Sequence, residues 1–174
     1  WGGCKEYLGR VKEFGLVSNG PMGAVMKAFE VIGTAQVAKS ADQARTMGFL
    51  GPNDRITMNR DRLLSDAKKT LIELSKDYSP PEPRTYSLPG PSGKAALELA
   101  VNDLALSGKV TPHDIVVTNA LAEILTGGDT DITDILEEDD ILAMEKKAIT
   151  TLAKNTDTLD RMQHMLETGK PLRN

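Results

Sequence analysis

The chain has 174 residues, 40% of them apolar and only 4% aromatic, and a formal net charge of −4. That length can bury a real core, and with so few aromatics Leu, Ala, Ile, Val and Met must fill it, which suits helix-on-helix packing better than a β-sandwich. The single Cys4 excludes an internal disulfide framework, no run approaches about 18 apolar residues, and the opening residues do not read as a secretory leader, so the expected setting is reducing and cytoplasmic, away from any membrane.

Charge is uneven along the chain. Residues 1–78 carry 12 Lys+Arg against 9 Asp+Glu, and residues 79–174 carry 9 against 16. An acidic second half with few aromatics argues against a nucleic-acid surface, and the first half is too mildly basic to argue for one.

In chain order, Trp1-Gly2-Gly3-Cys4-Lys5-Glu6 opens a helix on a glycine pair. Such a pair allows close backbone approach and presents free amides to a neighbour or ligand. Nothing upstream is there to receive them, so the expectation is a piece of a larger protein. Asn19-Gly20-Pro21 starts a helix whose Met22, Val25, Met26, Phe29 and Ile32 form one apolar stripe ending at Gly33. Ser40-Ala41-Asp42-Gln43 has the form of a capping box, followed by a short helix to Gly48. Residues 51–58 read as a turn and a brief extended piece. From about Arg60 to Tyr78, Leu63, Leu64, Ala67, Leu71 and Leu74 mark a longer amphipathic helix.

Prolines at 80, 81 and 83 forbid helix, and Leu88-Pro89-Gly90-Pro91-Ser92-Gly93 breaks the chain again. The expected organisation is therefore residues 1–79, a Pro/Gly linker over 80–93, and a helical extension over 94–174. In that extension Ala95–Leu106 is a helix ending at Gly108. Thr111-Pro112-His113-Asp114 supplies an N-cap, a proline at the first helical position and an acid two residues on. They start a helix with Val117, Leu121, Ile124 and Leu125 inward, stopped by Gly127-Gly128. A helix over about 137–154 carries Glu137, Glu138, Asp139 and Asp140 at its positive end and Lys146, Lys147 and Lys154 toward its negative end. The last helix, from about Thr156, aligns Leu159, Met162, Met165 and Leu166 and ends at Gly169 and Pro171.

No complete active-site motif is present. Gly90-Pro91-Ser92-Gly93-Lys94-Ala95 lacks both the glycine spacing and the final Ser or Thr of a phosphate loop, and reads as an inter-helix turn. Asp129, Asp131 and Asp134 suggest a calcium loop, but Asp134 stands where the turn-making glycine belongs, so an acidic cap on the next helix is the better account. His113 and His164 have no Cys or Ser beside them in a catalytic arrangement and read as surface or structural histidines. Cys4 reads as buried and inert. Glu145 falls on the apolar side of its helix and reads as a half-buried carboxylate in an ion pair with a Lys or Arg. No catalytic and no metal-binding residue is expected, and the fold class is mainly α.

The order of Gly2-Gly3, Ala28–Ala35, Ser40-Ala41-Asp42-Gln43-Ala44-Arg45-Thr46-Met47-Gly48-Phe49-Leu50 and Leu63–Tyr78 resembles the second half of an enoyl-CoA hydratase (crotonase) domain. The family has Leu-Val where this chain has Phe49-Leu50. Met144–Ile149, Asn155–Thr158 and Arg161–Asn174 are similar to the tail of bacterial multifunctional fatty-acid β-oxidation enzymes, in which a 3-hydroxyacyl-CoA dehydrogenase region precedes a hydratase-like one.

The resemblance implies the helical C-terminal half of a crotonase-like domain over 1–79, joined to the helical extension. It implies acyl-CoA as the parent's substrate, NAD as the cofactor of the parent's dehydrogenase region with none in this piece, and homo-oligomeric assembly. It also implies that the oxyanion amides and two hydratase glutamates lie upstream, leaving this piece non-catalytic with uncovered apolar residues such as Val25, Met26 and Phe29. By position in the family, Lys170 meets CoA phosphates; read from the residue alone, it complements the dipole of its helix. The alternative function is a non-catalytic helical protein-interaction module.

Overall fold

A computed structural model describes residues 2–17 and 20–174; the Trp1 and Asn19 ends of two expected motifs lie outside them. The fold is mainly α, 63% helical with 2% strand. It contains two compact units, one made of residues up to Val37 together with Arg84–Asn174, the other of Ala38–Pro83. These units cut the chain at places other than the expected boundaries at 79/80 and 93/94.

The first unit holds α1 (Gly3–Glu13), α2 (Pro21–Gly33), α5 (Gly90–Leu106), α6 (Pro112–Thr126), α7 (Glu138–Leu152) and α8 (Thr156–Thr168). In it α1 packs on α2, α2 on α6, α5 on α6 and α6 on α7, with α1 also meeting α6 and α7. Leu8, Val11, Val25, Ala28, Ala122, Leu125 and Ile141 are fully enclosed. The stripe expected on α2 is displaced. Ala24, Val25, Ala28 and Val31 are buried, Met26 is exposed and Phe29 only half-buried. Small residues at the crossing let helix axes come close, so the alanine face outcompetes the bulkier Met22–Met26–Phe29 face. Val25 is thus covered within the unit rather than left open.

Residues 80–93 are not wholly a spacer. Thr85–Tyr86 is a strand, β1, pairing antiparallel with β2 (Leu136–Glu137), Thr85 opposite Glu137 and Tyr86 opposite Leu136. Tyr86 and Leu88 are buried, and α5 starts at Gly90, five residues earlier than expected, with Pro91 tolerated in its first turn. Gly9 lets this strand lie across α1, since a Cβ there would stand 2.9 Å from Arg84 Cδ and 3.0 Å from Tyr86 Oη. The Tyr86 hydroxyl donates to Lys5 O, and Arg84 bridges Glu6 and Glu13. The Arg10 hydrogen bond, opposed by partial burial and supported by Arg84, holds the Glu6 carboxyl below its ordinary range.

The second unit contains α3 (Ala41–Thr46) and α4 (Leu63–Leu74), the latter flanked by 3-10 turns at 60–62 and 75–77. Ser40 Oγ accepts the Gln43 amide as expected, but the Gln43 side chain returns to the Lys39 amide, one residue before the cap. The turn at 51–54 is closed by Asp54, which accepts from the Gly51 amide; residues 55–58 form no strand. α4 forms as its spacing predicts, yet Leu63, Leu64, Leu71 and Leu74 are all exposed. No helix among the described residues is long and apolar enough to cross a membrane.

Candidate functional site

Lys170 follows the C-terminus of α8. Gly169 takes the left-handed conformation at φ 68° and its amide donates to Met165 O, while the Lys170 amide donates to Thr168 Oγ1. The Lys170 side chain is exposed. α8 begins at Asn155, whose side chain accepts the Asp157 amide. Its aligned Leu159, Met162, Met165 and Leu166 face outward, Leu166 at 86% exposure, and the body-facing side carries Thr158, Arg161 and His164 instead. Arg161 pairs with Asp114 at 2.8 Å and donates to Thr111 Oγ1 and Asn174 Oδ1. Burial pushes the Asp114 carboxyl up, but the Thr111 amide and hydroxyl and the Arg161 guanidinium outweigh it and hold it below its ordinary value. The expected N-cap Thr111 and the acid Asp114 close a reciprocal capping box at the start of α6.

His113 is not at the surface. It is 2% exposed, with Nε2 2.8 Å from Thr158 Oγ1. Its Nδ1 makes no hydrogen bond and lies 3.8 Å from Asp157 Oδ2. Of the two sequence readings, surface or structural, His113 follows the structural one, because the first turns of α6 and α8 meet over this ring.

Glu145 is 4% exposed, and its partners correct the expected ion pair. Oε2 accepts the Gly2 amide at 2.5 Å and Oε1 the Lys5 amide at 2.7 Å, so the carboxylate caps the N-terminus of α1 from α7. A neighbour for the glycine pair is therefore supplied by α7, within the same chain. Lys5 turns to Glu138 at 3.2 Å instead. Cys4 is half-buried rather than buried; burial, aided by the Glu145 charge, pushes its thiol up to about 12, which keeps it protonated at neutral pH.

The other sequence candidates resolve into local structure. Gly90–Ala95 is the first turn of α5, not a connecting turn, and Lys94 pairs with Glu123 and Glu98. Asp134 accepts from the Asp131 amide and the Thr130 hydroxyl, and Asp131 from the Thr133 amide and hydroxyl. These aspartates build their own turn; the cap of α7 is Glu137, paired reciprocally with Asp140. Among the described residues no three metal-ligating side chains are grouped to hold an ion. A cleft of about 300 Å³ runs beside α1 and β1, lined chiefly by Leu8, Val17, Pro21, Ala24 and Leu88, with Lys12 and Ser87 among its polar groups. The Tyr86 hydroxyl at its wall is already engaged by Lys5 O, so few polar groups converge there.

The fold is mainly helical, and among the described residues the buried Glu145 is committed to the cap of α1 and the buried His113 ties α6 to α8. Over 99% of its length the chain is 38% identical to the probable 3-hydroxyacyl-CoA dehydrogenase of Bacillus subtilis (strain 168), and the match covers 22% of that relative. The chain thus spans about a fifth of the curated protein it matches. No protein-family model matches the chain, and no solved structure matches it.

Proposed function

We propose that the chain is the C-terminal helical portion of a fatty-acid β-oxidation enzyme of the 3-hydroxyacyl-CoA dehydrogenase type. In this reading residues 1–79 belong to a crotonase-like region and the module supports acyl-CoA binding and homo-oligomerisation in the cytoplasm. It performs no chemistry alone, and NAD belongs to the parent's dehydrogenase region. The identity of 38% across nearly the whole chain carries this reading. The commitment of Glu145 to the α1 cap and the raised thiol of Cys4 support a non-catalytic role. Lys170, exposed beside a left-handed glycine, is free to meet a phosphate.

The test uses the longer enzyme that contains this sequence and the 174-residue chain side by side. The longer enzyme should reduce NAD with 3-hydroxyacyl-CoA substrates, and the chain alone should neither do so nor hydrate crotonyl-CoA. Turnover by the chain alone, tracking with it through purification, would overturn the reading.

A second reading, a non-catalytic helical interaction module, draws on the outward stripes of α4 and α8, where Leu64 is 83% exposed. It predicts that the longer protein lacks dehydrogenase activity.

A further inference from the structure

We propose that α8 and residues 169–174 form a strap that opens and closes as one piece over His113, latched shut by Arg161 on Asp114. No residue of α8 is buried, and its apolar side faces away from the body. The bonds that tie it down are polar and concentrated on the first turn of α6. Arg161 reaches Asp114 and Thr111, His113 reaches Thr158, and Arg173 donates to Lys109 O.

The tail travels with the helix. Asn174 accepts from Arg161 with both its side-chain oxygen and its backbone carbonyl, and donates to Asp157 O. The strap leaves α7 through the short turn 153–155, held by the Lys154 and Asn155 amides on Thr151 O and Leu152 O. Such a short turn can serve as the hinge. An element fixed by a few polar bonds, without buried apolar side chains, opens at lower free energy than the core beneath it. Opening exposes a histidine that is otherwise enclosed and has one ring nitrogen unbonded. The groups facing that ring across the seam are Asp157 and Thr158, with Asp114 and Arg161 beside them.

The experiment is carbethoxylation of the 174-residue chain by diethyl pyrocarbonate, with His113 and His164 read separately by peptide mass spectrometry, alongside amide hydrogen exchange. In wild type at low salt His113 should react much more slowly than the half-exposed His164. Arg161→Ala should raise the His113 rate about tenfold and speed exchange across 156–168, while α6 and α7 keep their protection. Raising salt toward 1 M on the wild-type chain should act in the same direction, because the latch pair is partly exposed and screened. That salt series carries the test if Arg161→Ala unfolds the domain. His113 reactivity and α8 exchange that respond to neither salt nor substitution, or that rise only in step with α6 and α7, would overturn the strap.

Discussion

Glu145 caps the helix that Gly2 begins: a carboxylate from α7 receives the Gly2 amide at 2.5 Å and the Lys5 amide at 2.7 Å, across 143 and 140 residues of chain. This long-range cap does the work usually done by a Ser, Thr or Asp at the helix start, where Gly2 offers no side chain. It also brings negative charge to the positive end of the α1 dipole. It therefore fixes α1 against α7 as well as closing the helix.

Removing the carboxylate should cost more than an ordinary cap, because two amides lose a charged acceptor in a buried place. Glu145→Ala is expected to lower unfolding stability by about 2 kcal/mol or more, and Glu145→Gln, which keeps one acceptor oxygen, by about 1 kcal/mol. Urea unfolding followed by circular dichroism measures both. A loss below about 0.5 kcal/mol for the alanine variant would mean that water replaces the carboxylate without penalty.

Cys4 predicts an alkaline effect. Its thiol, ordinarily near 9, stands at about 12 in the folded chain, so the folded state holds a proton that the unfolded state releases between those values. The stabilisation is fully present below pH 9 and is lost as pH rises toward 12. The urea midpoint of wild type should fall between pH 9 and 11 more steeply than that of Cys4→Ala; the difference isolates the thiol from Tyr7 and Tyr86, whose hydroxyls are also pushed up by burial. At pH 8 a thiol reagent should label Cys4 only on unfolding. Equal slopes for the two proteins would sink the assignment.

Two glycines with similar backbone angles should respond very differently to alanine. Gly90 (φ 59°) starts α5 so close to the Asp129–Asp134 turn that a Cβ would stand 1.9 Å from Thr130 O, whereas at Gly108 (φ 68°) a Cβ meets open space. Gly108→Ala should cost only the left-handed penalty, about 1 kcal/mol. Gly90→Ala adds a backbone collision and should cost about 3 kcal/mol or more. Thermal melts of the two variants settle the comparison, and equal shifts would contradict the close approach.

Lys170 is tested in the longer enzyme. If its ammonium meets a CoA phosphate, Lys170→Ala should raise the Michaelis constant for acyl-CoA by about three- to tenfold, the effect of an exposed charge-assisted contact. Turnover should barely change, since the contact is equally present in ground and transition states. Higher salt should narrow the gap. An unchanged constant at low ionic strength reduces Lys170 to a charge at the end of α8.

What the sequence by itself determined was the helices and most of their ends. Ser40 and Thr111 as caps, Pro112 just inside a start, and Gly127 and Gly169 just past an end act through bonds to residues a few positions away, so local spacing suffices to see them. Tertiary structure decided which face of each helix is buried and what the polar groups meet. On α2 the apolar residues permit two faces, and the close crossings chose Ala24 and Ala28 over Met26. β1 and β2 are two residues each, too short for any periodicity, and exist only because the chain segments carrying them are brought together. The partner of Glu145 lies at the far end of the chain, His113 is enclosed only because α8 folds back over α6, and the leucines and methionines of α8 face outward although their spacing fits an inward stripe equally well. Periodicity tells which side chains share a face; only the neighbouring elements decide whether that face is covered.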